Sequence, residues 1–317
     1  MKAIDYSMLD VFVLTYNRAE YLKVMLESLC MQTANGFSIK ILNNASTDNT
    51  LDVIRDIKLK YPNRNIQTIT NKTNLGNPGN FKYSQELASN VYTAVFHDDD
   101  VIHPEYVEAA INIFMDTPSL VMCSGMHQAL WNANNDNWDL LHKDYYIYPR
   151  DMGISLQLLI SRPTFACNIY KTEFYKKVTY HPELYGKLHD IVFMMELSKL
   201  GAVALIIGVC VRWRQSDAND SNNLTTGPFP FEIINIIKKI KELNPKHGLL
   251  IEMSLWSFAY FLYKWSMLER FLKWQEFSHI LIANGGGGGL LGPVRQKQMS
   301  YQSSPFVYFK TGFSKNA

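Results

Sequence analysis

The sequence predicts an α/β fold: a mostly parallel sheet flanked by helices, with a helical C-terminal extension. Three observations carry that prediction. Short apolar runs alternate with helical patterns up to Gly125. The runs are β-branched or aromatic and lack the polar alternation of a water-facing strand, as expected of strands buried on both faces. Each run opens into a loop rich in residues that cap helices. Such alternation implies right-handed crossovers, hence a parallel sheet whose ligand loops gather at one rim.

Taken in order, the first strand is Val11–Leu14. It gives way to Thr15-Tyr16-Asn17-Arg18-Ala19-Glu20, where Asn17 is placed to cap a helix and Glu20 to complete a capping box. Tyr21, Leu22, Met25, Leu26 and Leu29 supply that helix's buried stripe. A second strand, Ile39–Leu42, enters the cap-rich turn Asn43–Asp48 and a helix from Thr50 to Ile57. Ile66–Thr70 is the third strand; the loop Asn71–Asn80 holds Gly76, Pro78 and Gly79 and precedes a helix over Phe81–Ala88. Next come a strand at Val91–Phe96, a helix from Pro104 to Met115 and a strand at Leu120–Cys123.

After Gly125 the rhythm breaks into an irregular aromatic stretch with Trp131, Trp138, Tyr145, Tyr146, Tyr148, Phe165, Tyr170 and Tyr175. Leu188–Ile191 leads into a helix over Val192–Leu200, stopped by Gly201, and a strand follows at Ala202–Val211. From Phe231 the pattern is helical. Leu249–Tyr263 is apolar but holds Glu252 and is shorter than the roughly 20 residues a membrane span needs. Gly285–Gly289 reads as a flexible linker.

Composition bounds the rest. The chain has 317 residues, 47% hydrophobic and 19% charged, which suits one large α/β domain with a smaller appendage. A net charge of +2 gives no argument for a nucleic-acid partner. Cys30, Cys123, Cys167 and Cys210 are widely spaced in apolar contexts, with neither zinc spacing nor a disulfide framework, so a reducing, cytoplasmic setting is expected. Met1–Asp5 lacks the apolar core of a secretory signal.

The most informative feature is Asp98-Asp99-Asp100, one residue beyond the strand ending at Phe96. Carboxylates there stand where open α/β sheets bind ligands, and their mutual repulsion calls for a cation or a set of donors. Mg²⁺ or Mn²⁺, which prefer oxygen ligands and commonly bridge carboxylates to phosphates, would answer that need. A solvated acidic loop preceding the helix at Pro104 is the plainer alternative.

Four motifs in order then carry a resemblance: Val13-Leu14-Thr15-Tyr16-Asn17-Arg18, Asn43-Asn44-Ala45-Ser46-Thr47-Asp48-Asn49-Thr50, Asn74-Leu75-Gly76, and Asp98-Asp99-Asp100 followed by Pro104. Together they resemble the family 2 glycosyltransferases, inverting enzymes with the Rossmann-like GT-A fold, over residues 8 to 215. The resemblance implies a glycosyltransferase domain over residues 1–230, with a nucleotide-sugar half (1–124) and an acceptor half (125–230), and leaves 231–317 as the extension. It places Thr15, Asn17, Asn44 and Asn74 around the nucleotide, Asp98 at the ribose or the metal shell, and Asp99 as ligand of Mn²⁺ or Mg²⁺. The family usually has an aspartate where Asn44 stands; an asparagine still accepts through its carbonyl but also donates, so a UDP-sugar stays favoured with other bases open, and Asn43 and Asn44 equally suit a simple turn.

Other departures are Phe81 where relatives often carry an arginine, and His97 in place of a first aspartate. Asp190 is implied as the catalytic base, with helix capping as its alternative role. His189 is read as a second base, a supporting partner or a structural residue. Arg214 matches a late basic motif near the diphosphate, although Gln215 replaces the usual histidine. The aromatic stretch suits either stacking on an acceptor sugar or core packing.

The implied partners are a nucleotide-sugar donor and a saccharide acceptor, lipid-linked as in bacterial relatives that build O-antigen or capsule. Trp256, Lys264, Trp265, Arg270, Lys273 and Trp274 suit a segment lying on the inner face of a membrane, or equally a helix packed on the domain or on a second subunit in an oligomer. Two rival readings are a silent saccharide- or nucleotide-binding module and a sugar nucleotidylyltransferase. The latter should carry a glycine-rich loop where Thr15–Arg18 stands.

Overall fold

A computed structural model describes residues 4–130, 138–150, 165–214, 229–243 and 308–310. The elements in chain order are β1 (Leu9–Thr15), α1 (Ala19–Cys30), β2 (Ser38–Asn43), α2 (Thr50–Lys60), β3 (Asn65–Thr70), α3 (Gly76–Leu87), β4 (Tyr92–His97), β5 (Val101–Ile102) and α4 (Tyr106–Asp116). There follow β6 (Leu120–Leu130), β7 (Tyr145–Tyr148), β8 (Asn168–Lys171), α5 (His189–Ser198), β9 (Ala202–Arg214), α6 (Phe229–Leu243) and β10 (Tyr308–Lys310).

They build one sheet in the order β10-β7-β9-β6-β8-β4-β1-β2-β3, with β5 paired to β9. The pairs β3·β2, β2·β1, β1·β4 and β6·β9 are parallel. Beyond β4, the antiparallel β8 separates β4 from β6, and β7 and β10 extend the far edge antiparallel.

The runs of β1, β2 and β4 are buried on both faces, as their lack of alternation predicts, whereas β3, at the sheet edge, has no fully buried residue. Leu9, Val11 and Val13 of β1 pack with Ile39, Ile41 and the inner stripes of α1, α2 and α4. Phe12 and Leu14 of the same strand face a second cluster with Leu42, Phe81, Val95, Tyr170 and Phe193. One strand thus joins two cores through its period of two.

Several local expectations are corrected. Asn17 is not the cap of α1: it lies at φ 51°, and Arg18 holds the N-cap position without a side-chain cap. The helix end is capped from the next loop, where Asp48 Oδ2 accepts Ala19 N–H at 3.1 Å and Oδ1 accepts Thr50 N–H at 3.1 Å. One carboxylate therefore closes the starts of both α1 and α2, which makes the Asn17–Glu20 capping box unnecessary. Helix α3 begins at Gly76, inside the expected loop, because Gly76 takes φ 69° and Asn74 Oδ1 accepts its N–H at 2.8 Å. Strands β6 and β9 run to Leu130 and Arg214, well past Cys123 and Val211, since each pairs with the other through that stretch.

The expected boundary at residues 230/231 falls inside α6. That helix packs on the rest of the chain through Lys239 Nζ to Glu196 Oε1 (2.8 Å) and Asn235 Nδ2–H to Leu184 O (2.9 Å). Tyr308–Lys310 departs from the all-helical expectation for the extension: it pairs as a strand with β7. Trp131, Gln215, Leu249–Tyr263, the basic aromatic segment from Trp256 to Trp274 and the glycine run lie outside the described residues. No helix among the described residues is long and apolar enough to cross a membrane.

At the amino end of β1, Asp10 is fully buried. Its carboxylate accepts from Ser38 Oγ (2.8 Å), Asn90 Nδ2 (2.9 Å) and the N–H groups of Ser89 and Asn90, and pairs with Lys40 Nζ at 2.8 Å. Burial alone would raise its pKa; the Lys40 ammonium and these donors outweigh burial and hold it below 3.8. A depressed folded-state value contributes stability that is present above the unfolded value and lost as pH falls through the folded one. Asp10→Ala, which strands Lys40 and the donors, is expected to cost about 3–5 kcal/mol at pH 7 by urea denaturation, with the penalty shrinking as the pH is lowered into the acid range.

Candidate active site

The parallel register brings the polar loops to one rim. Thr15 pairs with Asn43, Asn43 with Thr70, and Leu14 with His97, so the segments leaving β1, β2, β3 and β4 start at the same height. Backbone bonds tie them: Asn44 N–H donates to Thr15 O and Asn71 N–H to Asn43 O, both at 2.9 Å.

The loops after β1 and β2 are locked together. Asn17 N–H donates to Ser46 Oγ at 3.0 Å, and Asn17 Oδ1 accepts Thr47 N–H at 2.7 Å. Ala45 takes φ 62°, a conformation a non-glycine residue adopts rarely. Thus two residues in left-handed backbone face each other at the rim, and a surrounding hydrogen-bond net holds them.

Asn44 is 3% exposed, and its amide is fully engaged by the protein. Oδ1 accepts from Asn71 Nδ2 and Leu75 N–H, both at 2.9 Å. Nδ2 donates to Asn74 Oδ1 (2.7 Å) and Gly76 O (3.3 Å). Asn71 also donates to Asn80 Oδ1, and Asn80 Nδ2 reaches Leu42 O. All four hydrogen-bonding positions of the Asn44 amide are therefore occupied. In this arrangement Asn44 and Asn74 shape the loop entering α3, the turn-forming alternative raised by the sequence.

The three aspartates sit between two arginines. Arg18 Nη1 lies 2.9 Å from Asp99 Oδ2 and 3.4 Å from Asp98 Oδ1. Arg214 Nε donates to Asp99 O at 3.0 Å, its backbone N–H to Asp100 Oδ1 at 3.3 Å, and its guanidinium lies 4.6 Å from the Tyr21 ring centre. Strand pairing explains the second contact: β5 follows Asp100 directly and pairs Val101 with Arg212 of β9. Asp98 and Asp100 are 3% and 2% exposed, whereas the Asp99 side chain keeps 13%. Asp99 is the carboxylate that opens to the rim.

Burial and the neighbouring Asp99 charge push Asp98 up to about 6, against the pull of Arg18. Burial and Asp99 also raise Asp100 well above the ordinary range. Thr15 is 3% exposed, and its hydroxyl, beside Asp98, helps to hold that carboxyl down.

Asp190 is the second residue of α5, half-buried, with Oδ1 accepting Ile191 N–H at 2.8 Å. Burial raises its pKa, while the nearby His189 and His97 lower it without cancelling the rise. Its charge is among the causes that raise Tyr170 and Tyr180, after their burial, and the His97 charge acts on it in turn. His189 is held at both ring nitrogens, Nδ1 by Gly186 O and Nε2 by the Tyr180 hydroxyl. The carbonyl can only accept, so Nδ1 donates to it. With both positions occupied, His189 has the structural role among its alternatives.

The aromatic stretch is largely core where it is described. Tyr145, Tyr148, Tyr170 and Tyr175 are at most 3% exposed, and Trp138 is stacked by Arg212 at 3.9 Å. Phe81 is fully buried and stacks on Tyr180 at 4.2 Å, so its position belongs to the core. Two contributors received no role from the sequence, Arg18 and Asp48. The adjacency of β1 and β4 was the signal for Arg18, since it sets the first loop's cation opposite the aspartates.

Among the described residues no group of three or more His, Cys, Asp and Glu side chains could hold a metal ion. The site nonetheless fits a hard divalent cation whose other ligands come from a substrate. It offers two adjacent carboxylates and, in Arg18, a guanidinium already standing where positive charge is wanted.

Comparison with known proteins agrees with this geometry. The family model described as Glycosyl transferase family 2 matches residues 10–179, more than half of the chain, and the chain belongs to that family. It is accordingly a transferase, with the GT-A fold of its structural neighbours. An uncharacterized glycosyltransferase of Haemophilus influenzae is 25% identical over 256 residues, 75% of this chain and 73% of the relative. Abequosyltransferase RfbV of Salmonella typhimurium is 29% identical over 153 residues, and there the match spans 47% of this chain and 45% of the relative. S. aureus TarS in complex with UDP-GlcNAc superposes with a TM-score of 0.62 at 18% identity, over 83% of this chain and 74% of that one. The mannosyltransferase PcManGT from Pyrobaculum calidifontis, in complex with GDP-Man and Mn²⁺, gives 0.50 at 13%, over 88% and 83%.

Because the folded value of Asp98 lies above its unfolded 3.8, the folded chain keeps that proton longer, and this term lowers stability as pH rises from 3.8 through about 6. Asp98→Asn is therefore expected to raise the melting temperature at pH 7.5 and to leave it nearly unchanged at pH 4. A calorimetric comparison at the two pH values checks this.

Proposed function

We propose that this enzyme moves a sugar from a nucleoside diphosphate donor, a UDP-sugar before others, to a hydroxyl of a saccharide acceptor, with inversion and with the help of Mn²⁺ or Mg²⁺. The observation that carries the reading is the convergence of Asp98, Asp99, Arg18 and Arg214 at the carboxyl rim of a parallel sheet, with Asp190 at a helix start nearby. The UDP-GlcNAc and GDP-Man complexes of proteins with this fold support the donor class, and the Mn²⁺ complex supports the ion. RfbV, an abequosyltransferase, supports sugar transfer; a saccharide acceptor, lipid-linked in surface polysaccharide synthesis, is the form we favour.

In this reading Asp99, the more open carboxylate, would hold the ion together with Asp98. When bound, the ion neutralises charge that builds on the leaving diphosphate. Arg214, fixed by Asp99 O, Asp100 and Tyr21, adds a permanent positive charge on the same side. Thr15 and Asn17 border the nucleotide, while Asn44 and Asn74 hold the neighbouring loop in shape. Asp190 takes the proton of the attacking acceptor hydroxyl as that oxygen bonds to the anomeric carbon and the diphosphate departs with the bonding pair. Its raised pKa makes it a stronger base than an exposed aspartate.

A panel of nucleotide sugars assayed for nucleoside diphosphate release, with and without Mn²⁺, tests the donor and the ion together. Asp99→Ala is expected to abolish the Mn²⁺-stimulated release while the circular dichroism spectrum is retained; full activity in that variant would refute the assignment. Asp190→Asn is expected to lower kcat by about 10²–10⁴-fold with donor binding preserved. The acid limb of the wild-type pH–rate profile should lie above the ordinary carboxylate range and vanish in that variant.

A further inference from the structure

Arg18 occupies a particular position. Its backbone is anchored, since Leu22 N–H donates to Arg18 O at 3.0 Å as α1 begins. Its side chain reaches across from the β1 loop to the β4 loop and puts Nη1 against one oxygen each of Asp98 and Asp99. The guanidinium is 33% exposed, whereas the two carboxylates are 5% and 13% exposed. Arg214 differs: its Nε is bound to a backbone carbonyl, its backbone belongs to β9, and its guanidinium lies over Tyr21. Arg18 thus combines a fixed base, a solvent-facing flank and a charged end directed at the oxygens a metal would use.

We propose that Arg18 is a built-in counter-ion that competes with the divalent ion for Asp98 and Asp99, and so makes firm metal binding depend on the donor. The inference rests on the reading that these carboxylates take the ion. Two carboxylates and one guanidinium leave the cluster one negative charge short of what a divalent ion would meet without Arg18. An arriving ion must break the 2.9 Å pair to Asp99 or share its oxygens at the cost of like-charge repulsion. A diphosphate changes the balance. It supplies ligands to the ion and gives the guanidinium another anion to pair with, a partner whose geometry suits its planar fork. Ion and donor then bind cooperatively, and by linkage each strengthens the other to the same degree.

The test measures Mn²⁺ binding to the full chain by electron paramagnetic resonance, with and without UDP, for the wild type, Arg18→Gln, Arg18→Lys and Asp99→Ala. Arg18→Gln is expected to bind Mn²⁺ alone roughly tenfold more tightly, the ratio that corresponds to about 1.4 kcal/mol. The extra affinity conferred by UDP should shrink in this variant. Arg18→Lys keeps the charge and should stay near the wild type, which separates charge competition from packing and serves if the glutamine variant does not fold. Unchanged or weaker Mn²⁺ binding in a folded Arg18→Gln, with binding still lost in Asp99→Ala, would overturn the counter-ion role and leave the metal site standing. If the wild type and every variant fail to bind Mn²⁺ even with UDP, both the metal site and this inference fall.

Discussion

Three adjacent carboxylates at the end of β4 are the constraint around which the rim is arranged. Side by side and mostly buried they repel one another, and the chain answers with charge from two directions. Arg18 arrives from the neighbouring parallel strand's loop, and Arg214 from a strand that reaches the site because β5 pairs with β9. Burial, and after it the Asp99 charge, keep Asp98 and Asp100 raised despite the two arginines. Such stored electrostatic cost is common where proteins bind ions and react phosphates.

The opposite end of β1 resolves the same problem differently. Asp10, equally buried, is met by Lys40, two backbone N–H groups and two side-chain donors, and its pKa falls. A strand of seven residues therefore has a satisfied carboxylate below and, across the ladder, a strained cluster above. The difference lies in the number of donors supplied.

Much of this was legible in the sequence, for physical reasons. β1, β2 and β4 showed themselves because strands buried on both faces are continuous apolar runs, and the aspartates because they follow such a run directly. The family signature then ordered the loops. What the sequence did not disclose depends on contacts between distant segments. Asn17 looks like a helix cap, but the cap comes from Asp48, 29 residues away from Ala19. The α3 start is hidden because Gly76 and Pro78 read as loop punctuation until Asn74 is seen capping the turn. Asn44 reads in the sequence as a ligand contact or a turn residue alike, and its bonds to Asn71, Asn74, Leu75 and Gly76 join segments that no local pattern pairs. The length of β9, which delivers Arg214, is set by pairing with β6 and β5 and leaves no local trace.

The Asp48 carboxylate, shared between the starts of α1 and α2, ties the inheritance of two loops together. Exchange of either segment with a homologue would leave a helix end bare unless the other travelled with it. Recombination or loop grafting aimed at altered donor preference has, in this scaffold, a minimal exchangeable cassette that runs from the end of β1 through the first turn of α2.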